Sequence, residues 1–76
     1  HVAPGVKIGG QTLIGTRSLI GIGSTIIDKI KIMKDTTIGA GSLVIKNCKV
    51  SGVYFGRPAK LKKINFILIR LSLSPG

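Results

Sequence analysis

Branched apolar residues stand at Val2, Ile8, Ile14, Ile20, Ile26, Ile32, Ile38, Val44 and Val50, six apart at every step. A helix repeats every 3.6 residues and a strand every two, so neither element alone explains a period of six. Glycine follows the apolar residue at Gly9, Gly15, Gly21 and Gly39. Four places after each apolar residue comes a small or β-branched one: Val6, Thr12, Ser18, Ser24, Thr36, Ser42 and, in the same phase, Cys48; Ile30 is the large exception. The pattern predicts short flat faces joined by bends. Each face sends one branched side chain inward, and the residue two before the next anchor points inward near a corner, where space is small. Coils stacked in this way pair as parallel strands about 4.8 Å apart, and each packs only on its neighbours. The prediction is an all-β chain, a parallel β-helix. Three six-residue faces make an 18-residue coil, so residues 2–50 supply a little under three coils. The number of faces is inferred from known repeat architecture, since the period leaves it open. The load of glycine and β-branched residues argues against an α-helical reading. A β-sandwich would need irregular register. Ordinary parallel crossovers are right-handed, and composition does not say whether this coil obeys.

Size and charge sharpen the picture. The chain has 76 residues, enough for one domain. At this size only about 60% of the unfolded surface can be buried, so association with other copies is the expected source of added stability. One cysteine permits no disulfide within the chain, and with one histidine there is no cysteine–histidine zinc site. Twelve Lys and Arg face two acids, Asp28 and Asp35, for a formal charge of +10. That balance suits an anionic partner such as a phosphorylated cofactor, nucleic acid or an anionic membrane. Tyr54, Phe55 and Phe66 are the only aromatics. They give little material for stacking a run of bases, so nucleic acid is not expected. The apolar stretches are too short for a transmembrane segment, and the opening lacks a signal-peptide pattern.

The repeats VKIGGQ, TLIGTR and SLIGIG, the stretch TIGAGSLVIKNCKV and the ending GVYFGRPAK resemble the hexapeptide-repeat acyltransferases, over residues 1 to about 63. The resemblance implies a left-handed parallel β-helix, a homotrimer, and acetyl-CoA bound along the groove between neighbouring helices. The opening HVAPGVKIGG is similar to the sialic acid and bacillosamine type of sugar O- or N-acetyltransferase. In that type the general base is a histidine about half a coil upstream of this opening, and a Rossmann-like domain precedes the coils. Both lie outside this sequence, so it reads as a C-terminal fragment of a longer enzyme or as a truncated product.

The expected site residues follow. His1 corresponds to a second histidine of the family, near the acyl group; a histidine titrates close to neutrality and is suited to proton traffic. Gly21, Gly39, Ala40 and Gly41 fall around corners, where smooth backbone can lie beside a pantetheine arm. Gly56, Arg57, Pro58, Ala59 and Lys60 form a terminal loop that the resemblance places near the adenine and phosphate end of the cofactor. Lys46, Lys49, Lys62 and Lys63 are read as peripheral, Asp28 and Asp35 as solvent-facing, and Cys48 as a packing residue. No metal site is expected. The expected division is coils over 1–53, a cofactor-side loop over 54–63 and a tail over 64–76, with a short capping helix as one reading of the tail. The expected function is acetyl transfer from acetyl-CoA to a hydroxyl or amine of a sugar or nucleotide-sugar, in the cytoplasm. The alternative is a non-catalytic β-helix that serves as a trimerisation or scaffold fragment. A carbonic anhydrase relative would need three histidines, and the scattered threonines do not form the rows of an ice-binding face.

Overall fold

The computed structural model describes residues 1–64, and within them the chain consists of short strands and turns. Seven two-residue strands come first: β1 (Lys7–Ile8), β2 (Leu13–Ile14), β3 (Leu19–Ile20), β4 (Thr25–Ile26), β5 (Lys31–Ile32), β6 (Thr37–Ile38) and β7 (Leu43–Val44). Two longer strands follow, β8 (Gly52–Gly56) and β9 (Ala59–Ile64). Strands three apart in the chain pair in parallel, giving sheets ordered β1-β4-β7, β2-β5 and β3-β6-β8-β9. This is the predicted β-helix with three faces. Ile8 lies opposite Ile26, and Ile26 opposite Val44, so a full coil takes eighteen residues on this face.

The anchors fill the interior. Ile20, Ile26, Ile32, Ile38 and Val44 are buried. Val2 and Ile8 belong to the first coil and stay nearly half exposed, because only one coil covers them. The corner positions are buried as well: Ser18, Ser24, Ile30, Thr36 and Ser42. Buried hydroxyls need partners, at a cost of about 1–3 kcal/mol each if left without. Ser18 Oγ donates to the Met33 carbonyl at 3.1 Å and Ser24 Oγ to the Gly39 carbonyl at 2.9 Å. Among the described residues no buried side-chain nitrogen or oxygen lacks a partner.

The period of six corrects itself at its last step. Ile32 bridges Cys48, sixteen residues on, and Ile38 lies opposite Tyr54, also sixteen on. The third coil is therefore two residues short between Val44 and Cys48. Cys48 and Tyr54 take the inward places that an unbroken count would give to Val50 and its successor. Val50 is only half-buried, and its backbone instead holds the Tyr54 hydroxyl, which donates to the Val50 carbonyl at 2.7 Å. At the shortened face Asn47 Oδ1 accepts from the Lys31 amide at 2.8 Å, so a side chain serves where a backbone carbonyl would have.

A second column of period six appears in the turns. Gly5, Gln11, Arg17, Gly23, Lys29, Asp35 and Gly41 all have φ between 57° and 73°. Four of these seven are not glycine, although a left-handed residue with a Cβ costs roughly 1–2 kcal/mol.

Residues 54–63 are not the loop expected from the sequence. They belong to the antiparallel hairpin β8–β9, in which Gly56 lies opposite Ala59 and Phe55 opposite Lys60. Only Arg57 and Pro58 form its turn, joined by a cis peptide bond. β8 also pairs with β6 and so extends the β3–β6 face. The tail expected over 64–76 lies, apart from Ile64 at the end of β9, outside the described residues.

Candidate functional site

Three turns of the coil stack into one corner of the prism, at residues 3–5, 21–23 and 39–41. The Gly23 amide donates to the Pro4 carbonyl at 3.2 Å, and the Gly41 amide to the Ile22 carbonyl at 2.8 Å. Coils touch closely here. A Cβ on Gly21 would fall 2.6 Å from the Ala40 amide nitrogen, so the glycine is required by contact with the next coil. Gly23 and Gly41 differ: each has a left-handed φ and open space where a Cβ would point. Ile22, Gly23, Ala40 and Gly41 are exposed.

Four of the expected residues, Gly21, Gly39, Ala40 and Gly41, thus meet at one corner. Arg57 joins them from the hairpin turn, where its Nη1 donates to the Gly41 carbonyl at 3.1 Å. Gly56 is tied in through its amide, which donates to Ser42 Oγ at 3.3 Å; Ser42 Oγ in turn donates to the Gly39 carbonyl at 2.7 Å. His1 lies outside this corner, on the adjoining face where the first coil meets β3. Its carbonyl accepts from the Ile20 amide at 2.9 Å, and its side chain is exposed. His1 and Arg57 thus belong to the first and last levels of the stack, about three coil spacings or ~14 Å apart along its axis and offset sideways by the corner. Pro58 is exposed in the hairpin turn, and Lys60 is exposed on β9 opposite Phe55, one strand beyond the corner.

The corner presents backbone as well as side chains. The amides of Gly21, Gly23, Gly39 and Gly41 are all used between coils. Those of Ile22 and Ala40, and the Ala40 carbonyl, have no hydrogen-bond partner among the described residues. They are free for the amides and carbonyls of an extended ligand. Ile22, Gly23 and Phe55 were missed in the sequence reading. Gly23 had a signal, since it lies eighteen residues before Gly41. Phe55 had none, because its place depends on the shortened coil.

The corner holds no acid. Asp35 is one coil from Arg17, which grips it at 2.7 Å and 3.0 Å and holds its carboxyl below the ordinary value, chiefly by that hydrogen bond. Among the described residues no cluster of His, Cys, Asp and Glu could hold a metal. Burial pushes the Cys48 thiol up to about 11, so it is neither a thiolate nor a nucleophile near neutrality. A groove of about 710 Å³ opens on the β2–β5 face, where the third coil is short. It is lined by Leu13, Met33, Lys31, Lys34, Asn47 and Lys49 among others, and none of the expected site residues borders it.

No family model matches the chain. Relatives and solved structures do. The GDP-perosamine N-acetyltransferase PerB of Caulobacter crescentus, solved with CoA and GDP-perosamine, superposes with a TM-score of 0.79 at 34% identity, over 82% of this chain and 30% of that one. The acetyltransferase domain of PglB from Neisseria gonorrhoeae gives 0.79 at 31% identity, with the same coverage. The serine acetyltransferase of Mycobacterium tuberculosis is 34% identical over 65 residues, which is 75% of this chain and 28% of that protein. The bifunctional protein GlmU of a Psychrobacter species is 32% identical over 56 residues, 74% of this chain and 12% of its own length. The chain thus spans less than a third of each of these proteins. The coil is left-handed, as in these neighbours, and its fold is that of an acetyltransferase β-helix. The chain belongs to the hexapeptide-repeat acyltransferases, and its solved neighbours are sugar N-acetyltransferases. Among the described residues no helix is long and apolar enough to cross a membrane.

Proposed function

We propose that this chain is the donor-binding β-helix of an acetyl-CoA-dependent acetyltransferase acting on a hydroxyl or amine of a sugar or nucleotide-sugar. The observation that carries the reading is the corner strip, with amides at Ile22 and Ala40 that have no partner among the described residues, Arg57 at its far end and His1 on the adjoining face of the first coil. An extended amide-bearing arm with a phosphate at one end fits that order of groups. Bound acetyl-CoA supplies an activated thioester, whose acetyl group passes directly to the acceptor. Arg57, held at the Gly41 carbonyl, keeps Nε and Nη2 free for phosphate. The amides of Ile22 and Ala40 hold the arm in register and are the donors closest to where charge develops on a carbonyl oxygen. His1 contacts the acyl group or acceptor and takes part in moving the acceptor proton.

We place the acceptor site at a boundary between copies in a homotrimer. Leu13, Leu19 and Ile22 support this, because they point outward and are half or more exposed. The cytoplasm, where CoA thioesters are available, is the proposed location. The test is calorimetry with acetyl-CoA, together with a mass measurement in solution. A trimer that binds acetyl-CoA at micromolar concentration is the expected result. A folded trimer that binds none would replace this reading with that of a scaffold.

A further inference from the structure

The groove on the β2–β5 face has no part in the corner strip, and the sixteen-residue step shapes it. Ile32 bridges Cys48 there, so Lys31 stands beside Asn47 and Met33 beside Lys49. Ile32 and Cys48 are buried, and the residues on either side of each point outward, as alternation along a strand requires. The outer surface is therefore a square with lysines on one diagonal, Lys31 and Lys49, their Cα atoms about 8 Å apart. Lys34 adds a third ammonium at the edge. One level down, Ile14 pairs with Ile32, which sets Leu13 under Lys31 and Gly15 under Met33. Gly15 has no side chain, and the apolar end of the groove lies between Leu13 and Met33, both exposed. Asn47 Oδ1 is taken by the Lys31 amide, which leaves Nδ2 as a donor at the rim. No acid lines the groove, and among the described residues the only ion pair is that of Arg17 with Asp35, so no carboxylate occupies the three lysines. Of the Lys and Arg residues up to Val50, Lys7 alone lies away from this face and its two corners.

We propose that this groove is a second ligand site, apart from the donor corner, for one small phosphate monoester with an apolar body. Its volume of about 710 Å³ lies within the range of small-molecule sites, about 300–1,000 Å³. A phosphate monoester carries a charge of about −1.5 to −2 near pH 7 and three acceptor oxygens. Lys31, Lys34 and Lys49 supply the counter-charge, and Asn47 Nδ2 supplies a neutral donor. The apolar body lies toward Leu13 and Met33. The concentration of cations on this side draws an anion toward it. A nucleotide fits less well, because no aromatic side chain lines the groove to take a base. The site does not depend on the proposed function, since none of the strip residues borders it. Leu13 also belongs to the outward set at the proposed boundary between copies. It borders only the apolar end, and the cationic end stands without it.

The test is calorimetry on the full chain with octyl phosphate, ethyl phosphate, inorganic phosphate and the uncharged octyl glucoside, each below the concentration at which it forms micelles. Octyl phosphate should bind once per chain and about tenfold or more tighter than ethyl phosphate or inorganic phosphate, because only its chain reaches the apolar end. Octyl glucoside should not bind. Lys31→Gln combined with Lys49→Gln should weaken octyl phosphate about tenfold and leave CoA binding unchanged. Met33→Ser should reduce the advantage of octyl over ethyl phosphate. Lys7→Gln combined with Lys63→Gln removes the same charge from other faces and should leave octyl phosphate binding as in the wild type. The proposal is overturned if octyl phosphate binds no tighter than inorganic phosphate, if the two double variants lose affinity equally, or if CoA displaces octyl phosphate. Retention on vesicles of phosphatidylcholine and phosphatidic acid, without binding of free octyl phosphate, would make the face a membrane contact and overturn the small-molecule site. A chain that binds octyl phosphate but not CoA keeps this site and loses the proposed function.

Discussion

Arg57 reaches from the hairpin turn to the carbonyl of Gly41, 3.1 Å away, and so joins the end of the chain's hairpin to the glycine corner one coil back. A guanidinium has five donors in a fixed fork, and this contact uses one. The remainder face solvent beside the strip. We expect Arg57→Ala to weaken CoA binding about three- to tenfold, the range of a single charge-assisted phosphate contact near a surface. Its thermal unfolding should stay close to wild type, because the side chain is exposed. Arg57→Lys should recover only part of the affinity, since an ammonium cannot hold Gly41 and a phosphate in the same planar fork. Equal affinity in all three proteins would remove Arg57 from the site.

The fold was legible from Val2 to Val44 because the inward-facing position there repeats every six residues, and the repeat is written in side-chain type. It stopped being legible where the coil shortens. Val50 keeps the phase of the sequence but not of the structure, and Cys48 bridges Ile32 in the place the count would give to Val50. A small inward residue and an anchor look alike when the residue is cysteine, so the sequence does not mark the slip. The left-handed turn column was not read from the sequence: glycine marks it only at Gly5, Gly23 and Gly41, and Gln11, Arg17, Lys29 and Asp35 carry no such mark. In those four the backbone geometry is imposed by stacking between coils and not by local preference. Asp35, for example, donates its amide to the Thr16 carbonyl one coil away at 3.0 Å. The corner glycines were found because their spacing survives in the sequence. Phe55 was not, since its neighbour Gly39 is brought to it only by the sixteen-residue step.

Glycine after an anchor is there for clearance between coils. A Cβ on Gly15 would lie 2.3 Å from the Lys34 amide nitrogen, which is backbone and cannot swing away. Gly10 is the control, with nothing within 4 Å of the same construction. We expect Gly15→Ala to destabilise by about 2–3 kcal/mol or to prevent folding, as overpacking does. Gly10→Ala should fall within about 0.5 kcal/mol of wild type. Denaturant midpoints for the two variants check this, and similar midpoints would mean that the coils can separate at little cost.

Arg17 and Asp35 stand one above the other in the left-handed column and share two hydrogen bonds. The hydrogen bond from Arg17 is the largest effect and lowers the Asp35 pKa; desolvation opposes it, and the charges of Arg17 and Lys34 add to the lowering. A carboxyl whose folded value is depressed adds stability above its unfolded value, and that stability is lost as the pH falls through the folded value. The melting temperature should therefore drop on acidification from about pH 6 to about pH 2. In Arg17→Met the drop should be smaller, because the largest cause of the lowered Asp35 pKa is then gone. Salt should shrink the difference between the two proteins, as the pair is exposed. Parallel melting curves against pH would show that the pair contributes nothing.

Ser42 is the joint between corner and hairpin. Its hydroxyl donates to the Gly39 carbonyl at 2.7 Å and accepts from the Gly56 amide at 3.3 Å, and the side chain is buried. Ser24 offers a comparison, for it donates to that same Gly39 carbonyl at 2.9 Å but holds nothing on the hairpin. In Ser24→Ala the carbonyl keeps Ser42 as a donor, so the loss should be about 0.5–1.5 kcal/mol. In Ser42→Ala the carbonyl keeps Ser24, but the Gly56 amide is left without its acceptor. The loss should be greater, about 1–3 kcal/mol. The two variants should also differ in where they loosen. Amide hydrogen exchange at Gly56 should accelerate in Ser42→Ala and not in Ser24→Ala, because only the first change frees that amide. CoA affinity should follow the same order, since Arg57 is placed by the residue next to it. Equal losses of stability with no local change in exchange would mean that the hairpin is held by its pairing with β6 alone, and that the hydroxyl relay does not set the position of Arg57.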